Sequence, residues 1–407
     1  MLRQSDLENY FQQRNFDLRL TRNGRWIDQK CTPDVVSVIA DCVVEYVTEN
    51  TRDIWFSKND IWHSSYAEEY VRDIFNKPST SKELSKNEYD KFFSQPLEML
   101  ANAGVLKKKK ENRINYYKVS DFDLLEYISL REKNSLLFII LYCQKVLQDS
   151  GIWNCFENFF QKQDKESFQK MKTAYEDFIT TNTPINGTTE ARRIFTKVLN
   201  PLSNRLHKKG TNRGNLSKNA ITYAELMYNR PNFRDINSIK PKEITRKEWA
   251  EQQPQQVNIQ FYKYQSQKAK KYLRKFNDAF RAGKSEFNDE YAGGPAIHMH
   301  HIFPEHAYPE ISMFLENLIA ITPTQHMTKA HPLGKTKEIN VEYQELLLKA
   351  KAGSIEENLG DVNVETIYSF ERFLSVLNTG FDEENEIIDP DYSKVMNVIN
   401  LHYMNLD

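Results

Sequence analysis

Six of the nine histidines in this chain of 407 residues fall in one short window: His298, His300, His301, His306, His326 and His331. Uniform scatter would put fewer than one there. Imidazole is the commonest metal ligand and a base near neutral pH, so crowding of this kind is what a metal or acid–base site requires. The residues around the cluster predict its shape. AIHMHHIF (296–303) alternates like a strand, which puts His298 and His300 on one face and His301 on the other. Asn317 precedes LIAIT (318–322), a second short strand. TPTQ (322–325) reads as a capping box in which Thr322 caps, Pro323 takes the first helical position and Gln325 reaches back. A short helix then carries His326 in its first turn. His331 follows five residues later, and on a regular helix that interval leaves roughly 140° between the two side chains. Pro332 also keeps His331 out of ideal helical geometry, so His331 is either a ligand on a frayed last turn or a C-terminal cap. His298 is a ligand, a phosphate contact or a polar strand residue, and His306 belongs to a solvent-exposed loop.

The run HHIFP–N–LIAITPTQHMTKAH resembles the ββα-metal fold of HNH endonucleases, over roughly residues 293–337. The resemblance implies His301 as the general base that activates water, with His300 beside it as a metal ligand. It implies Asn317 as the residue that holds the loop and so orients the base, His326 as the helix ligand and His331 as the last ligand. Relatives rich in histidine place that last ligand four residues after the helix ligand, where this chain has five. A divalent cation is implied, Mg²⁺ first, with Mn²⁺, Ni²⁺ and Zn²⁺ also accepted by histidine. The implied products carry 5′-phosphate and 3′-hydroxyl ends. Lys329, Lys335 and Lys337 are candidate phosphate contacts.

The elements around this module carry a polarised charge. The net charge is −1, yet the segment from Glu338 to Asp407 is strongly acidic and the rest is basic. Between Ala191 and Ala224 the chain has no acid and many cations, among them Arg192, Arg193, Lys208, Lys209 and Arg213. A second run between Tyr262 and Lys284 includes Lys270, Lys271 and Arg274. Two nearly unpaired runs of one sign repel each other unless a polyanion neutralises them, and nucleic acid is the leading candidate because phosphate contacts also release counterions.

Nearer the N-terminus, 33–49 reads as an amphipathic helix capped by Thr32, with Pro33 at its first position. A helical stretch follows near 58–75, then a helix over 86–104 with Pro96 kinking it and Gly104 closing it. Short strands at Val105–Leu106 and Ile114–Val119 flank a turn at Glu111–Asn112. Three helices, a glycine stop and a basic hairpin follow the order of a winged helix-turn-helix, in which the wing contacts the DNA backbone. Lys107, Lys108, Lys109, Lys110 and Arg113 would then face DNA. Residues 122–180 are helical by pattern, HKKGTNRGNLSK (207–218) is a basic loop, and EQQPQQ (251–256) is a hinge or linker; no internal repeat shows.

The expected architecture is α+β and predominantly helical. A winged-helix-like DNA-recognition domain occupies 1–121 and a helical, basic DNA-binding region 122–285. The HNH ββα-metal module takes 286–340 and an acidic helical extension 341–407. The resemblance and the charge together imply a sequence-specific, divalent-metal-dependent DNA endonuclease, similar in build to type II restriction endonucleases and acting on double-stranded DNA as a homodimer. A homing or phage-defence nuclease fits the same residues. The competing expectation is a non-catalytic winged-helix regulator holding a structural metal. Structural zinc sites are usually rich in cysteine, and no cysteine lies near the cluster. No signal peptide or membrane span is expected, nor a protein partner, and four reduced cysteines fit a cytoplasmic location.

Overall fold

The computed structural model describes residues 2–75, 86–228, 259–331, 339–383, 385, 387 and 390–404. It is an α+β protein in which helices predominate and the strands form three small antiparallel sheets. Contacts divide the chain into two units, residues 2–256 and 257–407. The expected boundaries at 121, 285 and 340 do not coincide with that division. It falls at the end of EQQPQQ, which itself lies outside the described residues, as do Lys335 and Lys337.

In the first unit, helices α1 (Gln4–Gln12) and α2 (Leu18–Thr21) precede α3 (Pro33–Glu49). Expected to be amphipathic, α3 is buried on nearly every side from Pro33 to Val44. Its run of Val, Ile, Ala and Cys suits a central helix rather than a surface one. Thr32 has the extended backbone of an N-cap, but its hydroxyl makes no capping hydrogen bond. The stretch expected as one helix near 58–75 is two, α4 (Lys58–Trp62) and α5 (Ser65–Ile74), because Ser57 and Ser64 each cap a new start. Helix α6 (Lys86–Asn102) contains Pro96 and ends before Gly104, whose φ is +84°.

Strands β2 (Leu106–Glu111) and β3 (Ile114–Val119) form a hairpin, and β1 (Phe56–Ser57) joins the free edge of β3. The turn sits at Asn112–Arg113, one residue later than expected, with both residues at positive φ (48° and 67°). This matches the right-handed twist of the strands.

Helices α7 (Phe122–Leu130) and α8 (Glu132–Asp149) pack on α3, followed by α9 (Trp153–Lys162), α10 (Lys165–Asn182) and α11 (Thr188–Arg205). The segment 207–218, expected as loop, is a second hairpin of β4 (Lys209–Asn212) and β5 (Asn215–Ala220). Arg213 and Gly214, at φ 52° and 81°, supply a two-residue turn that a looser reading of Asn, Gly and Lys as loop residues overlooks.

The second unit begins with α12 (Ile259–Phe280), which packs on the two-stranded sheet of β6 (His298–His301) and β7 (Leu318–Ile321). A lone pair of strands is marginal in water, and the remaining helices supply its cover. These are α13 (Val341–Gly360), α14 (Phe370–Phe381) and α15 (Tyr392–Met404). The acidic helical extension is therefore packed into its unit rather than projecting from it. Gln344 donates to the Ile302 carbonyl at 2.7 Å and accepts from the Tyr403 hydroxyl at 2.8 Å. Gly380 lies so close to Phe303 that a Cβ there would come within 2.3 Å of the ring. Glu286, buried, accepts from the Ala320 amide on the edge of β7 at 2.9 Å and pairs with Arg281 and the equally buried Lys351. Among the described residues, no helix is long and apolar enough to cross a membrane.

Candidate metal and catalytic centre

The strand alternation expected for 296–303 places His298 and His300 on one face of β6, with His301 turned away. Their pairing partners across the sheet are Ile321 and Ile319 for the first two and Leu318 for His301. His300 and His298 both meet His326: the His298 ring stacks on it at 4.5 Å, and the His300 ring stands edge-on at 5.2 Å. The capping box is present as expected. Thr322 Oγ1 accepts from the Gln325 amide at 3.2 Å, and Gln325 Oε1 accepts from the Thr322 amide at 3.0 Å. Gln325 also donates to Asp289 at 2.8 Å, and the Tyr343 hydroxyl donates to the same carboxylate at 2.8 Å. The start of the His326 turn is thus tied to two neighbouring segments.

That turn differs from expectation. Residues Gln325–Ala330 form a π-helix, and the His331 amide donates to the His326 carbonyl at 3.3 Å. The wider π turn brings residues five apart nearly into line, so the five-residue interval that separates side chains on an α-helix here unites them. The His331 ring stands 4.8 Å from that of His326 and 5.0 Å from that of His300. One ligand nitrogen from each of His300, His326 and His331 can be chosen so that all lie within 4.8 Å of one another. His326 Nδ1 is buried with no hydrogen-bond partner. A buried, unsatisfied nitrogen is costly, and a cation among three imidazoles would satisfy it. Burial, then the neighbouring imidazoles and the Lys270 ammonium, hold His300 well below its ordinary 6.5. The same causes bring His326 down to about 4. Both are therefore neutral at pH 7, as a metal ligand must be.

His301 is held differently. Its Nε2 lies 3.0 Å from the Ser312 carbonyl and 3.1 Å from the Ser266 hydroxyl on α12. A carbonyl only accepts, so Nε2 carries the proton and Nδ1 keeps its lone pair. Glu305 Oε2 is 3.9 Å from that Nδ1. Burial, reinforced by Lys270 and opposed by the bond to Ser312, brings His301 down to about 3. Asn317, fully buried, clamps the connecting loop by accepting from the Phe303 amide at 2.8 Å and donating to the Phe303 carbonyl at 3.0 Å.

These groups share one cavity of about 540 Å³, which His300, His301, His326 and His331 line together with Lys263, Lys270 and Glu305. The exposed His306 also reaches it. Helical spacing on α12 puts Lys263, Ser266 and Lys270 on the side facing β6. Lys270, expected as an outward DNA contact, is a partly buried wall residue; burial lowers its pKa against the pull of Glu305. Arg274 donates to the Ile297 carbonyl at 3.0 Å and pairs with Asp278, while Lys271 is exposed. Lys329 lies over the Tyr291 ring at 4.5 Å. Sequence reasoning misses Ser266, Ser312 and Glu305 as site residues, because nothing in their spacing to His301 marks them.

In the first unit, several expected DNA contacts are engaged internally. Arg192 pairs through two bonds with the buried Glu176, and Arg193 pairs with Glu190. Lys108 pairs with Glu98, while Lys109 pairs with Glu111 and lies over Trp55. Lys107, Lys110, Arg113 and Arg213 are exposed, and Lys208 and Lys209 partly so. No family model, no curated protein and no solved structure matches the chain.

Proposed function

We propose that this protein is a divalent-metal-dependent endonuclease acting on double-stranded DNA, with His301 as general base. One observation carries the reading: three mutually close imidazoles and a fourth, separately anchored, line the same cavity. The order of strands, loop-holding asparagine and histidine-bearing turn supports a ββα-metal module of the HNH type. His300, His326 and His331 would hold the ion. When bound, a divalent cation supplies Lewis-acid stabilisation to the charge developing on the phosphate and the departing oxygen. Three imidazole donors suit Mn²⁺, Ni²⁺ or Zn²⁺ at least as well as Mg²⁺, so all four belong in the test.

The chain's own residues supply the rest. His301 Nδ1 takes the proton of an attacking water, and the Ser312 carbonyl fixes the tautomer that leaves this nitrogen free. An imidazole held near 3 is a poor base at neutral pH. A phosphodiester's negative charge in the cavity favours the imidazolium and raises that value. Asn317 positions His301 indirectly by holding the loop that presents Ser312. Lys263 and Lys270 on the cavity wall meet the phosphate. In the first unit, the order α3, β1, α4, α5, α6, β2, β3 supports the winged-helix reading and with it a DNA-recognition role. A single site of this kind cuts one strand, so double-strand cleavage joins two copies of the chain on the DNA, as in type II restriction endonucleases.

The test is incubation with a plasmid of known sequence and each ion in turn, followed by sequencing of the fragment ends. Discrete fragments with 5′-phosphates and a shared end sequence are expected. A specific footprint on uncut DNA under every ion would favour a non-catalytic regulator instead.

A further inference from the structure

The first unit contains a local structural repeat that the sequence conceals. After α6, the Val105 amide donates back to the Leu100 carbonyl at 2.9 Å, across the left-handed Gly104. After α11, the Lys208 amide donates back to the Ser203 carbonyl at 2.8 Å, across the left-handed His207 (φ 52°). Both are the helix-ending closure that leads the chain sharply into a strand. Each closure opens a hairpin, and each hairpin is sealed in the same way. The Ser120 amide donates to the Val105 carbonyl and the Ile221 amide to the Lys208 carbonyl, both at 3.0 Å. One polar side chain of the preceding helix pins each hairpin. Glu98 of α6 accepts from Asn115 at 2.8 Å and from the Tyr117 hydroxyl. Asn200 of α11 bridges both backbone groups of Thr211, at 2.8 and 3.0 Å. Gly210 permits that close fit, since a Cβ there would come within 2.6 Å of Asn200 Oδ1.

The tips match as well. Both hairpins turn in two residues at positive φ, and in each an arginine, Arg113 or Arg213, occupies a position that glycine or asparagine adopts with less strain. Neither guanidinium makes an ion pair among the described residues, and both are exposed. Exposed cations flank them: Lys107 and Lys110 on the first hairpin, Lys218 on the second. Unpaired cations kept at strained turn positions on two like-built supports point to a polyanionic ligand rather than to stability.

We propose that the β4–β5 hairpin is a second wing, and that the first unit grips the phosphate backbone of duplex DNA with two wings, Arg113 at one tip and Arg213 at the other. This rests on the DNA-binding part of the proposed function and not on the nuclease centre. Two tethered contacts raise affinity through effective concentration even where each is weak.

The experiment titrates the full-length protein onto a short labelled duplex in EDTA, over a range of salt, so that cleavage plays no part. R113G and R213G are compared with wild type and with the double variant. Each substitution relaxes its turn, so the melting temperature is expected to hold or rise while DNA binding weakens. The slope of log Kobs against log salt is expected to fall by about 0.9 for each phosphate that is no longer neutralised, and in the double variant by the sum of the two decreases. A wild-type slope in R213G would overturn the proposal, as would equal or tighter binding to anionic phospholipid vesicles than to the duplex. Duplex binding with both slopes reduced, in a protein that cuts no plasmid under any ion, would remove the nuclease reading and leave this one standing.

Discussion

The histidine cluster and the basic surface of the first unit are both concentrations of one residue type, and the fold treats them in opposite ways. The imidazoles are drawn together out of water until one nitrogen from each of three can lie within 4.8 Å of the others. The cations stay at the surface, and several are neutralised by acids, as Arg192 is by Glu176 and Lys108 by Glu98. The difference lies in what burial does to each group. An imidazole can shed its proton and enter the interior neutral, whereas a guanidinium cannot and needs a partner or water. Crowded histidines therefore report a site directly. Crowded arginines report only a sum, and the fold decides which of them remain available.

The largest expected effect separates the two kinds of histidine. His301→Ala should lower plasmid cleavage by about 10²- to 10⁴-fold, the range for loss of a general base, while metal binding by calorimetry stays intact. Undiminished cutting would remove the base assignment. Next, saturating metal should stabilise the wild-type protein by about 2.7 kcal/mol at a hundredfold excess over Kd, read as a shift in melting temperature. His326→Ala should abolish that shift, and a variant that keeps it would show the ion to sit elsewhere.

The third expectation concerns pH. His301 and His326 fall from 6.5 to about 3 and about 4 on folding, so below 6.5 the unfolded chain binds protons that the folded one refuses. Metal-free stability should be full above pH 6.5 and decline as pH drops toward 3. His301→Ala should flatten that decline in denaturant melts, and an unchanged decline would mean that other groups set it. The smallest effect on DNA belongs to Arg192→Ala. It should lower stability in denaturant melts by leaving buried Glu176 without its partner, yet leave the salt dependence of DNA binding as in wild type. A reduced slope would mean that the ion pair opens on DNA.

Much of the centre was legible in the residues themselves. Alternation in HMHH separates His300 from His301 because strand side chains have a period of two, and TPTQ forms its capping box from local hydrogen bonds. The β2–β3 hairpin was also legible, apart from a turn shifted by one residue. Less legible were features that rest on distant partners. Helix α3 reads as amphipathic until α7 and α8 cover its remaining side. The segment 341–407 reads as a packed acidic helical extension, but its letters do not say that Lys351 is buried against Glu286 and Gly380 against Phe303.

By itself the sequence determined which groups are present and how short-range geometry orders them: the histidine window, the strand faces, the helix start at Thr322 and the polarity of charge. Only the tertiary structure decided that a π turn closes the gap between His326 and His331, that Ser266 and Ser312 hold His301, and that Arg192 is spent on Glu176 while Arg213 is not. The reason is range. Dihedral preferences and local hydrogen bonds act over a few residues and leave their mark in adjacent letters. Burial and ion pairing depend on which segments meet, and that is settled by the packing of the whole unit.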